Sequence, residues 1–206
     1  MGLPEIDPPA GLIERLRSFD SIVSWYGSNR DEFRAQVSAL GLPFRFLDAL
    51  PRGRIHAGDF FLKQAGCDGL AVPRIDCPHS QPANFCVMHP FSGSPPKNWP
   101  LDRFRDLARR VEMPVRWCAG PEEQLDGAVR IANLYELACW LATARFYLGN
   151  DSGITHLAAA VGIPVVAIFG PTDPAVWAPR GERVRVVSGA LEEITVEQIL
   201  SAARSI

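Results

Sequence analysis

The chain has 206 residues, 47% of them hydrophobic and 21% charged, with a formal net charge of −2. This is the composition of an ordinary soluble globular protein, and its near-neutral balance excludes a general electrostatic case for nucleic acid. No apolar run approaches the roughly 18 residues needed to span a membrane. The opening MGLPEIDPPA lacks the basic and apolar regions of a signal peptide, so a cytoplasmic protein is expected.

Residues 1 to about 80 read as part of an α/β layer. A helix is expected over Leu12 to Phe19, a strand over Ile22 to Tyr26, and a helix over Arg30 to Leu40 with Phe33, Val37 and Leu40 at helical spacing. Gly41 stops that helix. Phe44 to Leu47 suits a second strand, Arg52 to His56 is irregular, and Asp59 to Ala65 makes a short helix stopped by Gly66. Two strands and three helices are too few to bury both faces of a parallel sheet. Cys67 to Pro82, rich in Pro, Asp and Gly, reads as a linker.

From Phe85 the pattern becomes regular. Strands are expected at Phe85 to Met88, Val115 to Cys118, Val129 to Ile131, Phe146 to Leu148, Val165 to Phe169 and Val184 to Val187. Between them lie a helix from Leu101 to Val111, a helix capped by Asn133, and a short Ala-rich helix from Ile154 to Val161. Gly162 and Pro164 stop the last of these. Thr195 with Gln198 has the spacing of a capping box for a final helix. Strands alternating with helices imply a doubly wound parallel sheet of six strands in the order 3-2-1-4-5-6.

The five cysteines, Cys67, Cys77, Cys86, Cys118 and Cys139, include no C-x-x-C pair. They read as reduced core thiols, with neither zinc nor disulfides expected.

In that strand order, ligands bind beyond the strand ends at the switch point between strands 1 and 4. Strand 1 runs into His89-Pro90-Phe91-Ser92-Gly93-Ser94 and strand 4 into Gly149-Asn150-Asp151-Ser152-Gly153. The second turn opens a helix, whose unpaired N–H groups and partial positive charge suit a phosphate. Gly153 leaves room for a pyrophosphate, the Ser152 hydroxyl offers a donor, and His156 follows on the same helix face. Ser92, Ser94 and Lys97 add hydroxyl and ammonium donors. Glu122, after strand 2, is a carboxylate able to bind the two hydroxyls of a ribose. Trp99 and Trp177 suit either plain packing or the border of a sugar. A Ser–His hydrolase built on Ser152, His156 and Asp151 is excluded, because all three lie on one short segment and no G-x-S-x-G elbow is present.

The blocks S-G-S-P-P-K-N-W-P, A-G-P-E-E, G-N-D-S-G-I-T-H-L-A-A-A and G-I-P-V-V-A-I-F-G-P-T-D-P together resemble glycosyltransferase family 9, the lipopolysaccharide heptosyltransferases. The resemblance covers roughly residues 85 to 190. It implies a GT-B-like α/β fold, with a complete Rossmann-like donor domain over residues 81–206 and a partial acceptor-side α/β domain over 1–80. It also implies inverting transfer of heptose from an ADP-heptose-like donor to a lipopolysaccharide-core-type acceptor, without metal or other cofactor. Any association with the inner membrane would be peripheral.

Carried over by motif, Ser92 and Lys97 lie on the diphosphate, with Ser94 beside them, and Glu122 on the ribose. Asp151, Ser152, Gly153 and His156 lie at the diphosphate and sugar. Lys97 stabilises the departing nucleoside diphosphate, and Asp151 serves a sugar hydroxyl or orients Lys97 or His156. The family's opening strand and glycine-rich G-D loop, with the aspartate that is its general base, have no counterpart here; Gly58-Asp59 follows no strand. The chain is therefore expected to bind donor and to transfer slowly. A non-catalytic nucleotide-sugar binder and a GT-B-type sugar-nucleotide epimerase are the alternatives.

Overall fold

The computed structural model describes residues 9–78 and 83–206. Its backbone groups into two compact units, Met1–Gly69 and Leu70–Ile206. The Pro-rich stretch read as a linker is thus shared between them, and its residues 79–82 lie outside the described residues.

The first unit contains α1 (Ala10–Arg17), β1 (Ile22–Ser24), α2 (Asp31–Ala39), β2 (Phe44–Phe46) and α3 (Ala57–Gln64). β1 and β2 pair in parallel. Phe33 is the hub of its small core: its ring meets those of Tyr26, Phe44 and Phe46 edge-on, with Ile13, Val37 and Leu42 also buried. Gly27 turns at φ +77°, and a Cβ there would collide with the Phe33 ring. With only this strand pair to cover, Val23, Tyr26 and Leu50 stay exposed.

The second unit is organised around a parallel sheet in the order β4-β3-β5-β6-β7. The strands are β3 (Cys86–His89), β4 (Val115–Trp117), β5 (Phe146–Asn150), β6 (Val165–Phe169) and β7 (Val184–Ser188). The helices are α4 (Leu101–Arg110), α5 (Leu134–Ala142), α6 (Gly153–Ala160), the short α7 (Pro174–Trp177) and α8 (Val196–Arg204). The six-stranded expectation is corrected to five among the described residues. Val129–Ile131 supplies only an isolated parallel bridge, Cys118 to Val129, on the outer side of β4. The physical reason is local: Gly127 turns at φ +71° two residues before it, and its central residue, Arg130, faces solvent with its guanidinium on the Glu123 and Leu125 carbonyls. The predicted adjacency of the strand ends is unaffected.

Alternating side chains divide the sheet between two cores. Val87, Tyr147, Val165, Ala167 and Phe169 face α5 and α6, whereas Cys86, Met88, Leu148, Val166 and Ile168 face α4 and α8. β6 is buried along its whole length, as a strand covered on both faces must be. Two helices start at the caps the sequence indicates: Asn133 accepts from Tyr135 and Glu136 N–H, and Thr195 with Gln198 forms the capping box. Gly162, at φ +83°, is the left-handed stop after α6.

Residues 71–76 run against the other end of this unit. Ile75 N–H donates to the Ala160 carbonyl, Arg180 to that of Ala71, and the Tyr135 hydroxyl to that of Asp76. Together with the end of α6 and residues 180–184 they surround a cavity of about 620 Å³.

Gly149 fixes the approach of β5 to β3. A Cβ there would meet the Tyr147 hydroxyl and lie 3.0 Å from the His89 carbonyl oxygen. Gly149→Ala is expected to destabilise the unit by about 1–3 kcal/mol through overpacking. Urea unfolding measures this, and an unchanged midpoint would show that β3 and β5 can part at no cost.

Candidate functional site

The turns after β3 and β5 meet. Asn150, at the end of β5, is fully buried and accepts the Trp99 N–H at 3.0 Å, tying the end of the β3 loop to the strand next door. Its Nδ2 is a buried donor with no partner among the described residues. Trp99 is itself 1% exposed and donates from its indole to the Ile194 carbonyl, so it is core and borders no ligand. Trp177 is half-buried and packs against the α5/α6 core.

Within the β3 loop, Ser92 Oγ lies 2.8 Å from both the Ser94 carbonyl and Asn98 Oδ1, and it accepts the Ser94 N–H. These bonds hold the turn that leads into the 3₁₀ segment Pro95–Lys97. The turn delivers Lys97, whose Nζ donates to Asp151 Oδ2 at 2.8 Å. The same carboxylate oxygen accepts the Thr172 hydroxyl at 2.7 Å, from the loop after β6. Asp151 is nearly buried, and its own N–H is bonded to the Ile168 carbonyl. Three loops thus converge on one carboxylate. Lys97 remains 29% exposed, and an ammonium has three hydrogens, so it keeps donors for a second anion.

Ser152 is the N-cap of α6 and accepts from Thr155 N–H. Gly153, the first residue of the helix, is exposed, and a Cβ there would meet nothing. The helix N-terminus is therefore open to a ligand at its backbone. Below the cap runs a buried hydroxyl cluster: Thr155 donates to the Asn150 carbonyl, and Tyr147 Oη lies 3.1 Å from Thr155 Oγ1. His156 is half-buried on the next position of α6.

On the β4 side, the carboxylate fixed in place is Glu123 rather than its neighbour. Glu123 Oε2 accepts the Gly120 N–H at 2.6 Å and lies 3.1 Å from His89 Nε2. Glu122 is exposed at the lip of the same turn. His89 is 3% exposed, and its Nδ1 lies 3.4 Å from Ser152 Oγ. Burial holds the imidazole below its ordinary pKa, with Glu123 pulling the other way. Burial raises the neighbouring thiols too, Cys86 to about 12 and Cys118 to about 11, and it raises the Tyr147 phenol. Cys86 and Cys118 are core thiols as expected, whereas Cys67 is exposed.

The structure therefore brings Ser92, Ser94, Lys97, Asp151, Ser152 and Gly153 to one edge of the sheet, with Glu122 on the adjoining turn. Sequence reasoning passed over His89, Asn98, Glu123, Asn150, Thr155 and Thr172. Thr172 had a signal, since it sits in the rigid Gly170-Pro171-Thr172-Asp173-Pro174 loop next along the sheet.

A parallel sheet with helices on both faces and phosphate-suited turns at its switch point defines a Rossmann-like unit of the GT-B glycosyltransferase type. The chain belongs to glycosyltransferase family 9, the heptosyltransferases, whose family model matches residues 70–202. It is 35% identical over 80 residues to lipooligosaccharide heptosyltransferase 2 of Haemophilus influenzae, covering 36% of this chain and 23% of that protein. It is 30% identical over 117 residues to lipopolysaccharide heptosyltransferase 1 of Escherichia coli K12, covering 48% and 35%. The chain thus matches about a quarter to a third of these relatives' own length. Among solved structures, E. coli heptosyltransferase WaaC superposes with a TM-score of 0.68 at 17% identity, over 95% of this chain and 76% of that one. That likeness shows the fold alone. WaaC has been determined with ADP and with ADP-2-deoxy-2-fluoro heptose. Among the described residues, no helix is long and apolar enough to cross a membrane.

Proposed function

We propose that this chain binds the nucleoside-diphosphate sugar of an inverting heptosyl transfer, with an ADP-heptose-like donor and a lipopolysaccharide-core-type acceptor. The observation that carries the reading is the ion pair of Lys97 with a nearly buried Asp151 beside the open N-terminus of α6. Family membership and the ADP-bound WaaC structure support the choice of ligand.

In this reading the diphosphate receives the N–H groups at the start of α6 and the remaining hydrogens of Lys97. Both are in place before the reaction, so charge developing on the departing diphosphate is stabilised without reorganisation. Asp151, held by Thr172, orients Lys97. Ser92 and Ser94 shape the loop that presents it, Glu122 meets the ribose hydroxyls, and His156 lies toward the sugar. The cation and the helix supply the positive charge that a divalent metal supplies elsewhere.

Titration calorimetry with ADP, with and without a chelator, tests binding. The expected result is one site whose affinity the chelator leaves unchanged. Release of ADP from ADP-heptose on adding a lipopolysaccharide-core acceptor tests transfer. Strict magnesium dependence would overturn the metal-free reading, and absence of ADP binding would overturn the site. Binding without any acceptor-stimulated release would make the chain a donor-binding protein only.

A further inference from the structure

His89 has no place in the reading above, yet it lies between the turns that carry Glu123 and Ser152. Its Nε2 faces Glu123 Oε2 at 3.1 Å, and that oxygen already accepts the Gly120 N–H. A carboxylate oxygen in this position accepts, so Nε2 must carry the hydrogen. Burial disfavours the charged imidazole, and the neutral form leaves Nδ1 a bare acceptor. Among the described residues, only Ser152 Oγ, 3.4 Å away, stands opposite it. Thr155 cannot supply a proton to Ser152 beyond its N–H, because its hydroxyl donates to the Asn150 carbonyl. Ser152 Oγ also lies 3.2 Å from Thr155 Oγ1, but that oxygen can be supplied by the Tyr147 hydroxyl at 3.1 Å, whereas Nδ1 has no other donor among the described residues. The Ser152 proton therefore goes to Nδ1. The hydroxyl points inward, and a phosphate arriving at α6 would meet an oxygen there.

Adding a proton to His89 reverses this bond. Both ring nitrogens then donate, Nδ1–H to Ser152 Oγ and Nε2–H to Glu123. The Ser152 hydrogen is released from Nδ1 and can turn outward to an anion, with Thr155 Oγ1 at 3.2 Å as its alternative acceptor. The protonated ring also places a positive charge under the N-terminus of α6.

We propose that His89 is a proton-linked positioning residue: neutral, it holds the Ser152 hydroxyl proton inward, and on taking a proton from solvent it frees that hydroxyl to donate to an anion at the start of α6. Binding of a diphosphate there is then coupled to proton uptake at His89. This rests on the diphosphate reading of the site.

The titratable groups of this cluster are few. Glu123 comes from the segment after β4. The Cys118 thiol and the Tyr147 phenol are kept neutral by burial, and Asp151, beside Ser152, is paired with Lys97. The Phe91 ring lies edge-on to His89 at 6.2 Å. His156, on α6, is a second imidazole near the same ligand and must be resolved from it.

Nitrogen-15 histidine spectra of the 206-residue protein test the relay directly, with His89 assigned by its loss in His89→Gln. The expected free state is the Nε2–H tautomer with a pKa below ~6.5, rising by about one unit on saturation with ADP or inorganic pyrophosphate. ADP should accordingly bind roughly ten-fold tighter well below that pKa than well above it. Calorimetry near pH 6 in two buffers of different ionisation enthalpy should show net proton uptake, which is smaller in His89→Gln. Ser152→Ala keeps the imidazole but removes its switchable partner, so there the ADP-induced pKa rise should be blunted; it serves also if His89→Gln does not fold. An Nδ1–H tautomer in the free protein overturns the proposal. So does ADP binding that leaves the His89 pKa unmoved, or uptake undiminished in His89→Gln. If neither ADP nor pyrophosphate binds at any pH, the diphosphate reading fails and the coupling with it, while the tautomer still decides the relay.

Discussion

Lys97→Ala is expected to slow sugar transfer by roughly 10²–10³-fold, the usual cost of removing one preorganised donor from a developing negative charge. ADP affinity should fall less, by a factor of about 10 to 150, corresponding to about 1.5–3 kcal/mol for a charge-assisted hydrogen bond. The difference between the two losses is the informative quantity. In the proposed site the ammonium would meet the diphosphate before and after the glycosidic bond breaks, but the charge it faces would grow only as the bond breaks. Turnover and ADP affinity measured on the same variant separate the two. Equal losses would mean that Lys97 merely binds, and no loss in either would place the diphosphate elsewhere.

Asp151→Ala is expected to act on the fold as well as on the site. The carboxylate is 7% exposed and holds Lys97 and Thr172 on one oxygen. Removing it leaves an ammonium and a hydroxyl without their acceptor, at a cost of about 3 kcal/mol, toward the low end for a broken buried pair because Lys97 is partly hydrated. Asp151→Asn keeps one carbonyl oxygen and should lose about half as much. Urea midpoints rank the three proteins. A stable Asp151→Ala protein that has lost ADP binding would show that the carboxylate orients Lys97 without supporting the unit. One that keeps both would remove Asp151 from the account.

Much of this arrangement is legible in the sequence because strong local signals coincide with it. Asn133, Thr195 and Gly162 announce helix ends through chemistry that acts within a few residues, and the apolar run Val165–Phe169 identifies a strand buried on both faces. The neighbouring of the Ser92 and Ser152 turns follows from strand order alone. What escaped depends on partners far apart in the chain. Val129–Ile131 has a strand's apolar ends, but the turn at Gly127 and the solvent-facing Arg130 at its centre limit it to a bridge with Cys118. His89 looks like any core histidine until Glu123, 34 positions on, and Ser152, 63 positions on, stand at its two nitrogens. Glu122 and Glu123 are indistinguishable as letters, and only the bond to Gly120 N–H shows which one is built into the turn. Trp99, flanked by Pro100, suited a sugar or a core equally, and its indole bond to Ile194 decides for the core.

The segment bonded through Ala71, Ile75 and Asp76 bears on how the donor unit can be handled as a separate piece. A gene fragment cut at residue 81 would discard these bonds, baring the Ala160 carbonyl at the end of α6 and the Tyr135 hydroxyl. A fragment cut at residue 70 keeps them, and the family match begins at that same residue. The second unit carries its own seam, so its modular boundary lies near the start of the proline-rich stretch rather than at its end.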